Sequence, residues 1–352
     1  MGRSRDHASR PDAPPPIGGY DDAGRTYGSL DDLWAVQTAE RDAFYAANDA
    51  WWANGGYGGS TDDAAMIGDD ESAADVADSC RFLDGLLVRH PRAGRRAALD
   101  AAAGVGRVTK HVLLRTYESV HLVEACEEWS KQSRRYLGNK RCQACTFTRA
   151  RLESYSPRAC SYDLVWLQWA LQYLTDADAV SALRHLAAAL RPSGLLVLKE
   201  NRPYGGASER RFQLDTPEGE HGRYDITRPD VHHRHLFSMA HLDVVECERS
   251  DETNYWVLRP QPVGADGPHH TGRAMETEGA MKGLRAGGGA RGGARAGGAD
   301  ASRRRGRTRG GDGATGGRGA TSMPREPRGD EDSGSSIRKP PRSVRASRLA
   351  LS

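Results

Sequence analysis

One stretch, residues 99–110 (Leu-Asp-Ala-Ala-Ala-Gly-Val-Gly-Arg-Val-Thr-Lys), limits what this chain can fold into more than any other. An apolar run ends in Asp100, a loop of small residues follows, and a helix-forming segment starts at Arg107. About twenty residues further on, the run Val120-His121-Leu122-Val123 ends in a second acid, Glu124. Strand, tight loop, helix and strand with a terminal carboxylate is how a doubly wound sheet holds an adenosine. Small residues at Ala102, Gly104 and Gly106 let the backbone approach the ligand, and a carboxylate at Glu124 accepts hydrogen bonds from two ribose hydroxyls. The loop reads D-x-A-x-G-x-G rather than G-x-G-x-x-G. No helix N-terminus has to be bared to a pyrophosphate, so the pattern favours S-adenosylmethionine over a dinucleotide as cofactor.

The ends of the chain have a different composition. Residues 1–30 are polar and carry the Pro-rich run Pro11-Asp12-Ala13-Pro14-Pro15-Pro16. Residues 263–352 are rich in Gly, Arg and Ala, as in Gly287-Gly288-Gly289-Ala290-Arg291-Gly292-Gly293. Such composition buries too little apolar surface to offset backbone ordering entropy, so both ends are expected to be disordered. One α/β domain is expected over 31–260. The segment 263–352 has 18 Lys and Arg against 9 Asp and Glu, whereas the rest has 32 against 38. An acidic fold argues against the domain itself gripping nucleic acid and suits a basic substrate such as a Lys- or Arg-bearing peptide. Only the Arg/Gly tail is a candidate for RNA contact. Of the six cysteines, Cys142 and Cys145 alone form a CxxC, with no second pair at zinc spacing, so no metal is expected. No apolar run approaches the roughly 18 residues of a membrane helix, and no targeting signal is visible. The expectation is a monomer in a reducing cytosolic or nuclear setting.

Between the ends, strand and helix alternate. Residues 31–52 and 72–90 read as helices, the second with Val76, Phe82, Leu83, Leu86 and Leu87 on one face. Then follow strand 96–101, helix 106–116, strand 119–124, helix 127–136, strands 143–148 and 162–167, helix 177–190 and strand 194–200. A long polar loop leads to helix 230–240 and a hairpin of strands 242–249 and 253–258. This order predicts a mostly parallel, doubly wound sheet of seven strands with an antiparallel end. Its ligand edge gathers Asp100, Glu124, Leu152-Glu153, Gln168-Trp169 and Glu200-Asn201.

With Gly-Arg-Val-Thr-Lys at 106–110, Trp-Leu-Gln-Trp at 166–169, Leu-Thr-Asp at 174–176, Leu-Arg-Pro-Ser-Gly at 190–194 and Lys-Glu-Asn at 199–201, the chain resembles the alpha-N-terminal protein methyltransferases over roughly residues 44–258. Phe44-Tyr45 with Trp52, and Asp225-Ile226-Thr227-Arg228, are similar to the same family. The resemblance implies a class I S-adenosylmethionine-dependent fold. It also implies methylation of the free α-amine of proteins whose N-terminus reads X-Pro-Lys or X-Pro-Arg. In this family pattern Arg107 meets the methionine carboxylate of the cofactor, which a guanidinium does bidentately. Glu124 holds the ribose, Leu152 and Glu153 flank the adenine, and Gln168 lines the cofactor pocket. Trp52 and Trp169 wall the peptide channel, and Asn201 accepts a hydrogen bond from the substrate amine.

Three departures stand out. Ala102 replaces the first glycine of the family's loop. Tyr173 replaces a histidine, keeping a hydrogen-bonding tip but losing a near-neutral pKa. The late acidic segment is stretched, so that Asp215, Glu218, Glu220 and Asp225 are all candidates for the base; Asp215 and Asp225 are assigned that role here. An α-amine ionises near 7.7–8.0, about 2.5 units below a lysine side chain, so a modest carboxylate suffices to free it. Two alternatives stay open: a methyltransferase with another acceptor, and a catalytically degenerate fold whose function lies in the tail.

Overall fold

The computed structural model describes residues 16–58, 62–68, 72–204, 209–219, 221–250 and 252–262. The expected tail, 263–352, and residues 1–15 lie outside the described residues.

Seven strands form the main sheet: β3 (Ala97–Ala101), β4 (Ser119–Glu124), β5 (Cys145–Arg149), β6 (Tyr162–Gln168), β7 (Leu190–Asn201), β10 (Leu242–Arg249) and β11 (Thr253–Pro260). Their spatial order is β10-β11-β7-β6-β3-β4-β5. β3 pairs in parallel with both β4 and β6, β4 with β5 and β6 with β7; β11 alone runs against its neighbours. The doubly wound sheet with an antiparallel end is as the sequence predicted.

The two sides of this sheet bury separate cores, because successive side chains of a strand point to opposite faces. Leu99, Ala101, Val165, Leu167, Leu196 and Leu198 pack with helices α1 (Leu30–Ala39), α2 (Arg41–Ala53), α7 (Asp176–Ala188) and α8 (Asp230–Met239). Ala98, Leu122, Leu164, Trp166, Leu195 and Val197 pack with α4 (Ser72–Arg89), α5 (Arg107–His111) and α6 (Glu127–Cys142). A four-residue helix, α3 (Ala64–Ile67), precedes α4.

Several boundaries differ from expectation. The helix expected over 31–52 is two, parted at Glu40, whose backbone (φ −109°, ψ 14°) leaves the helical region. The helix expected over 106–116 is the short α5 followed by a 3₁₀ turn at Leu113–Arg115. The turn expected at 191–194 lies within β7, as an irregularity where Tyr162 faces Leu190 and Leu164 faces Leu195.

The larger correction concerns the N-terminal segment and the long polar loop. Residues 16–30, expected to be disordered, contribute β1 (Gly18–Asp21) and β2 (Thr26–Tyr27). The loop contributes β8 (Arg211–Asp215) and β9 (Asp225–Thr227). Together they make a second sheet, ordered β2-β1-β8-β9. Phe212 and Leu214 of β8 are buried against Tyr27 and Leu33, so this sheet joins the first core. The expected domain start at residue 31 therefore moves back to include 16–30.

Among the described residues no helix is long and apolar enough to cross a membrane, and no group of His, Cys, Asp and Glu could hold a metal ion. All six cysteines are free; Cys142 ends α6 and Cys145 begins β5.

Candidate active site

A cavity of about 740 Å³ opens at the carboxyl ends of β3, β4, β5 and β6. Its wall includes Ala102, Gly104, Arg107, Glu124, Leu152, Glu153, Gln168, Trp52, Trp169 and Tyr173 from the sequence-derived set. The loop after β3 is built for close approach. Gly104 has φ +55°, and a Cβ there would lie 2.5 Å from the Met66 sulfur. Gly106 has φ +87° and starts α5; it shapes the turn rather than the wall. Ala102 adopts φ +60° in spite of its methyl, and Trp169 adopts φ +50°. Left-handed backbone costs a non-glycine residue roughly 1–2 kcal/mol. Both strained residues line the cavity, where such strain tends to gather.

Each carboxylate on this edge has a defined task. Asp100 is buried and accepts from the Thr109 amide (3.0 Å) and hydroxyl (2.6 Å), tying the end of β3 to α5. Burial pushes its carboxyl up to about 6. Glu124 accepts from the Gly104 amide at 2.8 Å through Oε2 and from the Cys126 amide at 2.7 Å through Oε1. Burial raises its pKa, and these amides pull back against it. Glu200 accepts from the amides of Ala170 (3.0 Å) and Leu171 (2.8 Å), holding the loop that carries Trp169 and Tyr173. Burial pushes it up to about 8.

Arg107 is buried and its Nη1 donates to Asp75 on α4. Asp75 also accepts from Gln168 Nε2 (2.9 Å) and from Lys199 Nζ (2.5 Å), and Gln168 Oε1 accepts from the Trp166 indole (3.0 Å). Sequence reasoning missed Asp75 and Lys199. The signal was there: Asp75 continues the buried stripe Ser79, Phe82, Leu83 and Leu86 of α4, where an acid is out of place unless paired.

Aromatic rings gather around Trp52 and Tyr173 of the wall. Trp52 meets Tyr173 edge-on at 5.6 Å and Trp51 at 4.7 Å. The Arg223 guanidinium lies 4.5 Å from the Trp51 ring centre and 5.2 Å from that of Tyr57, and donates to the Tyr57 hydroxyl and to Asp225, each at 3.1 Å. Burial, with Tyr57 and Asp225 nearby, holds the Tyr173 phenol well above its ordinary pKa.

Asn201, Asp215 and Asp225 do not line the cavity. Asn201 ends β7 opposite Thr253. Asp215 and Asp225, which the sequence left as alternatives, are direct cross-strand partners on β8 and β9. Burial pushes Asp225 up to about 7, with Arg223 opposing and Asp215 adding to the rise. His221 Nε2 is 3.7 Å from Asp215.

The cavity fits S-adenosylmethionine. It has the size of a cofactor pocket, a close approach at Gly104 where a Cβ would crowd Met66, a carboxylate at the end of β4, and a buried indole nitrogen, Trp169 Nε1, with no hydrogen-bond partner among the described residues. Fold and cavity together define the class I S-adenosylmethionine-dependent methyltransferase fold. The profile of the AdoMet dependent proline di-methyltransferase family matches residues 41–255, and the chain belongs to that family. It is similar to the human N-terminal Xaa-Pro-Lys N-methyltransferase 1, 35% identical over 136 residues, or 38% of this chain and 61% of that protein. The Alpha N-terminal protein methyltransferase 1 of Arabidopsis thaliana is 30% identical over 244 residues, covering 64% and 82%. The matched span is thus about three fifths of the human relative's length. A solved SAM-dependent methyltransferase of Leishmania major superposes with a TM-score of 0.61 at 26% identity, covering 71% of this chain and 99% of its own.

Proposed function

We propose that this protein transfers methyl groups from S-adenosylmethionine to the free α-amine of proteins that begin X-Pro-Lys or X-Pro-Arg. The observation that carries the reading is one cavity whose wall joins Gly104 and Glu124 to the aromatic rings of Trp52, Trp169 and Tyr173. That lining has room for a nucleoside and offers flat faces suited to a proline ring.

Bound there, S-adenosylmethionine supplies a methyl group activated by its sulfonium. The chain's own residues position, desolvate and deprotonate. In this reading Glu124 serves the ribose hydroxyls, Leu152 and Glu153 flank the adenine, Arg107 meets the methionine carboxylate and Gln168 lines the cofactor pocket. Arg107 has five donors and gives one to Asp75, which fixes its plane. Trp52 and Trp169 hold the acceptor; Asn201, off the cavity wall at the end of β7, would reach its amine only through a bridging water.

The amine must lose a proton before its lone pair can form the N–C bond as the C–S bond breaks. Tyr173 is a poor base, since its phenol is held far above neutrality. The Asp215–Asp225 pair suits the task better, acting through water, since neither acid lines the cavity wall. Asp225, at about 7, lies close to the pKa of the amine it would relieve. Asp215, its partner across one register, adds to that rise. A cytosolic or nuclear setting, and a basic third residue drawn to this acidic hairpin, belong to the same proposal.

The test is mass spectrometry of X-Pro-Lys peptides incubated with the full chain and S-adenosylmethionine. Methyl mass gained only on free-amine, Pro-containing peptides supports the reading. Cofactor binding without methylation of any such peptide would point to another acceptor.

A further inference from the structure

The acid pair is held from outside the span that matches the family. That span begins at residue 41, whereas the segment before it makes half of the second sheet. β1 pairs in parallel with β8 from Gly18↔Arg211 to Asp21↔Leu214. Two strands alone, β8 and β9, would be marginal in water; a third and fourth make the sheet stable.

The contacts bracket both acids. On the Asp215 side, the Asp22 amide donates to the Leu214 carbonyl at 3.0 Å. The Asp22 carboxylate accepts from the Thr216 hydroxyl at 2.7 Å and from its amide at 3.2 Å. The residues before and after Asp215 are therefore both pinned by Asp22. Gln213 donates to the Tyr20 hydroxyl at 2.6 Å. Gly19 lies flat on Phe212, where a Cβ would fall 2.3 Å from the ring, and the Tyr27 ring centre stands 5.6 Å from that of Phe212. On the Asp225 side, the Tyr224 hydroxyl donates to Glu40 at 3.2 Å, and the Tyr224 amide donates to Asn48 on α2 at 2.9 Å. No residue of 18–40 lines the cavity.

We infer that residues 18–40 are a positioning segment for the acceptor side of the reaction, setting where Asp215 and Asp225 stand without acting on the cofactor end. The inference rests on the reading that this acid pair serves the acceptor amine. Asp22 is its most direct lever. Its side chain is exposed, so its loss opens no core cavity, yet it alone caps Thr216 among the described contacts.

The experiment compares the full chain with its Asp22→Ala and Asp22→Asn variants. It measures steady-state kinetics on an X-Pro-Lys peptide, S-adenosylmethionine Kd by calorimetry, and amide hydrogen exchange. In Asp22→Ala, peptide kcat/KM should fall about tenfold while cofactor Kd stays within about twofold of wild type. Exchange should quicken in 211–227 and stay unchanged in β3, β4 and β6. Asp22→Asn keeps a carbonyl acceptor for Thr216 and should recover most of the loss. Unchanged peptide kinetics and unchanged exchange in Asp22→Ala would overturn the inference. So would a parallel loss of cofactor affinity, or an Asn variant as impaired as the Ala variant. Should wild type bind cofactor and methylate no peptide, the acceptor reading falls by itself. Exchange then judges the clamp, since unchanged protection in 211–227 refutes it and local acceleration supports it.

Discussion

Replacing Asp75 by alanine should be among the most damaging single changes away from the cavity wall. Asp75 is the shared anion of two buried cations. The side chains of Arg107 and Lys199 are 5% and 2% exposed, so neither can turn to water when the carboxylate goes. Breaking a buried pair by deleting one partner costs about 3–5 kcal/mol, most of it from the charge left behind. Lys199 keeps a second carboxylate, Asp78, at 3.3 Å, which places the expected cost toward the lower end. In a folded region of this size each kcal/mol shifts the midpoint by about 2–4 °C, so Tm should drop by about 6–12 °C in scanning calorimetry. The double variant Asp75→Leu with Lys199→Met removes one charge of each sign and should lose much less than the two single costs added together. The pH dependence has a definite sign. Burial pushes Asp75 up, but Arg107 and Lys199 pull it further down, so its folded pKa lies below the ordinary 3.8. Its contribution is therefore present above about pH 4 and is lost as pH falls through the folded value; the gap between wild type and Asp75→Ala should close in acid. A loss under about 1 kcal/mol, or strictly additive single and double variants, would refute the picture of a dry, mutually dependent cluster.

Ala102→Gly should stabilise the protein by about 0.5 kcal/mol in chemical denaturation, because relief of a left-handed alanine outweighs the added freedom of the unfolded chain; a measured loss of stability would contradict this. Asp225→Asn should lower kcat on an X-Pro-Lys peptide by about a hundredfold and remove any limb of the kcat–pH profile near 7; a profile identical to wild type would exclude Asp225 as proton acceptor. Glu200→Gln tests a stability slope of opposite sign to that of Asp75. With a folded pKa of about 8 against an ordinary 4.5, Glu200 contributes stability below about pH 4.5 that is lost as pH rises toward 8. The Gln variant keeps an acceptor for Ala170 and Leu171 and should be the more stable protein at pH 8.5, so parallel stability curves would refute the assignment.

What could be read in the sequence, and what could not, follows the distance over which each part is assembled. Glu124 and Gly104 are twenty residues apart and meet through one strand–loop–helix–strand unit, so spacing alone paired them. The strands at 97–101, 119–124 and 162–168 are visible for the same reason: each is a short apolar run that is legible within its own few residues. The helix over 31–52 was read as continuous because its apolar pattern runs through Glu40; the break there accompanies a contact with Tyr224, 184 residues away. β1 is four residues with two glycines, a stretch with no strand signal of its own, and it pairs with a strand about 190 residues later in the chain. Asp75 was hidden differently: an acid early in a helix reads as a favourable end charge, and only its place on the buried stripe marks it. The four acids between 215 and 225 show the limit most clearly. Composition made each of them eligible. Cross-strand register sets Asp215 opposite Asp225, Glu220 lies outside the described residues, and β8 is in turn paired to β1 from the far end of the domain. The cofactor half of the cavity is thus a local structure that sequence spacing can reveal. The aromatic wall draws Trp52 from α2 and Trp169 and Tyr173 from the loop after β6, and the hairpin that carries Asp215 and Asp225 is paired to residues before 41, so both depend on tertiary pairing that no window of the sequence contains.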